Sequence, residues 1–249
     1  MSKKRTAGLA LVFLASLFWS LNSPLVKSLE LDPFLLAGMR ALIAGVALAP
    51  FIRIRRIKWN IYTLLMFLTY TAQCICIILA LKMTSTGVAV GMQFTAPVWL
   101  YFLERKKGEK PTFRRLWPLG VLLLGTVVFM CSKARGTTLI GNLIALSTSF
   151  WFAALTYFSK KATADNPLGM TSLSNLVCAL VALPLAGNAL DKVLMIPGGQ
   201  WPLLIALGVL QIGCGYGFYY LGLRYVSGQT AAMISPMEMV LGRGGWRYS

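Results

Sequence analysis

One pattern occurs twice in this chain. Leu14-Ala-Ser-Leu-Phe-Trp19 returns as Leu146-Ser-Thr-Ser-Phe-Trp151, and the stretch bracketed by Pro33 and Pro50 returns between Pro167 and Pro184. Further on, Leu81-Lys82 matches Leu223-Arg224. Both copies are built from apolar runs of membrane-spanning length. A duplicated bundle with an odd number of spans per copy must place its halves upside down relative to each other, the build of many secondary transporters.

Composition supports the membrane assignment. Of 249 residues, 57% are hydrophobic and only 12% charged, far more apolar sequence than a soluble core of this length requires. With roughly 20 apolar residues needed per crossing, spans are expected near 7–26, 33–51, 61–81, 84–103, 114–131, 138–159, 167–187, 201–221 and 227–242. The expected fold is an all-α polytopic membrane protein, an inverted repeat of five-helix units with about nine spans present. Its halves would be 1–131 and 132–242, the second incomplete, followed by an aberrant tail at 243–249.

The formal charge of +17 does not point to nucleic acid, because the basic residues sit in short connections rather than on an amphipathic surface. Lys3 to Arg5, Arg53 to Lys58, Arg105 to Arg115, Lys160, Lys161 and Arg224 place sixteen basic residues on one side. Only Lys27, Lys82, Lys133, Arg135 and Lys192 fall on the other, so the positive-inside rule makes the amino terminus cytoplasmic. In an inverted repeat Lys82 and its counterpart Arg224 belong on opposite faces, as this assignment has them.

Several function classes fall away. The chain has no histidine, no C-x-x-C pair among its five cysteines and no P-loop, so no metal, cofactor or nucleotide is expected. Its seven acidic residues lie mostly in loops, and an enzyme is not expected. After Gly242 the apolar pattern stops, and the segment from Ser227 to Gly242, about 24 Å as a helix, is short for a span. The expectation is a product lacking the end of span nine and all of span ten.

Ionisable groups inside a membrane are costly and face the protein interior or a water-filled cavity. Two qualify, Arg40 in span two and Glu238 in span nine. Arg40 is expected to draw anionic substrate groups or to pair with Glu238, and Glu238 to take up and release a coupling proton. Neutral polar residues at helical spacing extend the candidate cavity: Thr69 and Gln73 in span three, Gln211 in span eight, Gln93 in span four, Trp19 and Ser23 in span one, and Trp151 and Thr156 in span six. Pro24, Pro97 and Pro236 remove backbone donors within or near spans, which kinks helices and frees carbonyls.

The chain resembles the EamA-type transporters of the drug/metabolite transporter superfamily, proteins of ten spans in two inverted halves. The likeness runs from residue 7 to 242. It is carried by Phe18-Trp19-Ser20-Leu-Asn22 with Lys27, Asp32-Pro33 leading to Arg40, Ala80-Leu81-Lys82-Met-Thr-Ser85-Thr-Gly-Val-Ala89 with Pro97, and Gly108-Glu109-Lys110-Pro111-Thr112. In the second half it is carried by Gly141-Asn142 with Trp151 and by Gly222-Leu223-Arg224-Tyr225-Val226-Ser227 leading to Glu238. The sequence departs from the pattern at Met239, where proline is usual, and in lacking the second Gly-Glu turn. The resemblance implies an exporter of small metabolites or drugs in a bacterial inner membrane, working by alternating access. Its partners would be a small-molecule substrate, the lipid bilayer and, as an option, a second copy in a homodimer. The competing expectation is a non-transporting remnant or scaffold.

Overall fold

The computed structural model describes residues 3–105, 117, 120–121, 123–125, 138–162 and 165–235. Seven helical segments among them are long and apolar enough to cross a membrane: Lys3–Lys27, Pro33–Phe51, Ile61–Met83, Thr86–Glu104, Leu139–Ala162, Pro167–Leu185 and Gly198–Leu223. They correspond to expected spans one to four and six to eight. Most of expected span five, the end of span nine with Glu238, and the tail lie outside the described residues; Gly228–Ile234 is a helix at the start of span nine.

The duplication is visible in how the helices begin. Span two starts at an Asp-Pro pair in which Asp32 accepts hydrogen bonds from the amides of Phe34 and Leu35, both at 3.0 Å. Span seven starts at Asn166-Pro167, where Asn166 accepts from Gly169 N at 3.2 Å. Each side chain satisfies donors that the first helical turn leaves open, and proline at the first helical position has no donor to lose. Ser85 and Ser227 cap the following equivalents, accepting from Val88 N and Thr230 N.

Short connections predict consecutive spans as antiparallel neighbours, yet the most extensive packing joins the two halves: span three with span six, span two with span seven, and span one with span eight. This is the pairing a pseudo-twofold axis requires, since exchanging the halves turns the first pair into the third and leaves the second unchanged. The reason is close approach. Lipid supplies no hydrophobic drive between helices, so they associate where small residues and polar groups let backbones meet. Gly222 of span eight lies against Val12 and the Gly8 carbonyl of span one. Ser172 of span seven donates to the Gly45 carbonyl of span two at 2.6 Å.

Three spans depart from regular α-helix near mid-length. Span one stops at Trp19 and restarts at Asn22, beside Pro24, whose missing N–H leaves the Ser20 carbonyl without its usual partner. Span four passes through a 3₁₀ turn, Met92–Thr95, just before Pro97. Span eight contains a π-helical segment, Leu207–Cys214.

Candidate functional site

The three irregular segments point at one place. Asn22 from the restart of span one, Gln93 from the 3₁₀ turn and Gln211 from the π-helical segment line a single cavity with Arg40 and Gln73. Trp19, Ile77, Phe152, Ile212 and Tyr216 complete its wall. The cavity volume is about 30 Å³, room for a water or two in a polar setting. π-bulges recur at functional sites because they re-aim side chains and break the local backbone ladder.

Arg40 dominates the chemistry. Its side chain is 1% exposed, and Nη1 donates to Asn22 Oδ1 (2.9 Å) and Gln211 Oε1 (3.4 Å) while Nη2 donates to the Cys74 carbonyl (3.1 Å). All of these acceptors are neutral, and among the described residues no carboxylate lies within ion-pair distance of the guanidinium. A positive charge is therefore buried with its orientation fixed by dipoles but its charge uncompensated by them, a costly arrangement unless an anion completes it.

Other groups at the cavity are also left open. Among the described residues, Arg40 Nε, Trp19 Nε1 and Gln73 Oε1 are buried without a hydrogen-bond partner. Two donors and one acceptor among the lining residues are thus open, with the Trp19 indole edge packed on Gly215. Beside them Trp19 packs on Tyr216 (ring centroids 4.9 Å), Tyr219 (5.1 Å) and Phe152 (5.7 Å). An apolar wall beside a cation and a few fixed polar groups is the usual make-up of a small-molecule site.

The structure divides the residues expected from intramembrane charge and helical spacing. Arg40, Trp19, Gln73, Gln93 and Gln211 come together at the cavity. Ser23 is buried outside the lining, because the break after Trp19 shifts the helical phase and presents Asn22 instead. Thr69 spends its hydroxyl on its own helix, donating to the Leu65 carbonyl at 2.8 Å. Thr156 bonds Tyr219 OH at 2.7 Å, behind the aromatic wall. Trp151 stacks edge-on against its neighbour Phe150 and does not reach the cavity. Glu238 lies outside the described residues. Asn22 and Tyr216 are the polar lining residues that spacing misses; the signal for Asn22 is a polar residue two positions before an intramembrane proline.

The EamA-like transporter family model matches this chain twice, over residues 6–131 and 139–242. A crystal structure described only as that of a protein superposes with a TM-score of 0.70, covering 98% of this chain and 90% of the other at 21% identity. At that identity the likeness is one of fold. No curated protein sequence matches.

Proposed function

The chain belongs to the EamA-like transporter family, and from that premise we propose that it exports small carboxylate-bearing metabolites or drugs across a bacterial inner membrane by alternating access, with its amino terminus cytoplasmic. The observation that carries the substrate class is Arg40, buried among neutral acceptors with Nε, Trp19 Nε1 and Gln73 Oε1 all open among the described residues. A substrate carboxylate matches these open groups, and it would enter once the cavity, about 30 Å³ in this conformation, widens. It would accept from Nε and from the Trp19 indole, and its charge would complete that of the guanidinium. The helix breaks in spans one, four and eight support a site whose walls change shape as the halves rock.

Export is driven, on this reading, by a proton taken up and released at Glu238. The experiment is efflux from proteoliposomes loaded with labelled carboxylates, with and without an imposed pH gradient. Wild-type chain should release them; Arg40→Gln should not, and Glu238→Gln should lose the dependence on the gradient. Equal, gradient-independent leakage from all three would leave the non-transporting remnant as the better reading.

A further inference from the structure

A second concavity lies at the membrane surface, away from Arg40. It measures about 460 Å³ and is lined by Arg55, Arg56, Ile57, Lys58, Asp165 and Arg224. These residues come from three connections far apart in sequence, those between spans two and three, six and seven, and eight and nine. Topology alone asks only that basic residues lie on one side of the membrane. It does not ask that they converge on one hollow.

The hollow is built rather than frayed. Ile57 is buried in the core and anchors the connection between spans two and three. Thr63 Oγ1 donates to the Lys58 carbonyl at 2.6 Å, and Asn166, the cap of span seven, reaches the Arg53 carbonyl at 3.5 Å. Lys58 Nζ and Asp165 Oδ2 are 2.9 Å apart. Lys58 first, then Arg224 and Arg56, hold the Asp165 carboxyl below its usual range, so these cations all crowd a single carboxylate. Among the described residues, three arginines and a lysine line the hollow with one acid, a positive balance.

Apolar side chains flank its basic residues in sequence. Phe51, Ile54, Trp59 and Ile61, in the same connection and at the head of span three, are all roughly half exposed or more. Basic groups interleaved with outward-facing apolar side chains match a molecule that carries a phosphate at one end and hydrocarbon at the other. Basic pockets between membrane helices hold anionic headgroups on these grounds.

We propose that this hollow is a binding site for the phosphate headgroup of an anionic lipid, with Arg55, Arg56 and Arg224 on the phosphate and the exposed Phe51, Ile54 and Trp59 side chains of the same connection against the acyl chains. Asp165 limits the affinity by occupying Lys58. The site is separate from the carboxylate site, and its test does not depend on transport.

The test uses the full chain in nanodiscs of phosphatidylcholine with a minor share of phosphatidylglycerol, followed by detergent extraction and native mass spectrometry of retained lipid. Wild type should retain phosphatidylglycerol over phosphatidylcholine. Arg55→Gln/Arg56→Gln should weaken retention about 30-fold, since each basic group near an anionic surface contributes about fivefold. Lys3→Gln/Lys4→Gln, which removes the same charge elsewhere on that side, should leave it unchanged, and Asp165→Asn should strengthen it severalfold. Equal loss in the two double variants, or equal retention of the two lipids, overturns the proposal. A parallel arm adds inorganic pyrophosphate to lipid-free detergent-solubilised chain. Thermal stabilisation there that vanishes in Arg55→Gln/Arg56→Gln, without selective lipid retention, assigns the hollow to a soluble phosphate and overturns the lipid assignment. Both double variants alter exposed side chains, and their unfolding temperatures check that the fold is intact.

Discussion

Replacing Arg40 by methionine separates binding from stability. The substitution removes three hydrogen bonds from a charged donor, two of them at 2.9 and 3.1 Å and one at 3.4 Å. Such bonds contribute about 1.5–3 kcal/mol each, and the long one less. It also removes a buried charge with no carboxylate beside it among the described residues, whose desolvation costs several kcal/mol. The two nearly cancel, so Arg40→Met should stay within about 2 kcal/mol of wild type. Ligand response should change far more. A carboxylate at about 100 times its Kd stabilises the folded chain by about 2.7 kcal/mol, which for a protein of this size is about 5–10 °C in Tm. The assay is thermal unfolding in detergent with benzoate, phenylalanine and choline as anionic, zwitterionic and cationic probes. Benzoate or phenylalanine should raise the wild-type Tm and leave Arg40→Met unmoved, and choline should do nothing. An equal shift in both proteins would refute the role given to Arg40. So would an intrinsic loss of about 3–5 kcal/mol in Arg40→Met, because that is the signature of breaking a buried ion pair, with Glu238 the candidate partner.

Other consequences are open to measurement. Gly222→Ala would put a methyl 2.7 Å from Val12 Cγ2 and 3.0 Å from the Gly8 carbonyl; prying spans one and eight apart should cost about 1–3 kcal/mol, read as a lower Tm without change in ligand specificity. Trp19→Phe keeps an aromatic ring but deletes the open indole N–H, so it should weaken carboxylate binding severalfold at a smaller cost in Tm than Trp19→Ala, which should lose about 3–5 kcal/mol of packing. Lys58 holds the Asp165 carboxyl below its usual range. The pair's contribution is therefore present above the ordinary carboxylate pKa and lost as pH falls through the lowered one; Asp165→Asn should flatten that acid limb of the Tm profile, and an unchanged limb would show the pair to be inert.

Much of the architecture was legible in the sequence because its causes are local or periodic. Apolar runs of spanning length mark the helices, and a repeated Asx-Pro pair at Asp32-Pro33 and Asn166-Pro167 marks where equivalent spans begin. Arg40 stood out because a charge in the middle of an apolar run needs an interior reason. Which neutral residues share its cavity was another matter. A spacing argument assumes an unbroken helix of constant phase, and that holds for Gln73 within regular span three but not for span one. There the break beside Pro24 replaces Ser23 by Asn22. The π-helical turn that carries Gln211 leaves no mark in the residue pattern of span eight.

Local satisfaction was equally hidden: Thr69 looks like a cavity residue until its hydroxyl is seen bonded to its own helix. Nor does spacing along one helix say that the Arg55, Arg56, Asp165 and Arg224 side chains share a hollow. The sequence by itself determined a duplicated bundle of membrane helices with a cation, Arg40, inside one apolar run, because hydropathy and capping act within a few residues. The tertiary structure alone decided what surrounds that cation, because the cavity wall comes from spans one, three, four, six and eight, whose contacts depend on close approach between the halves.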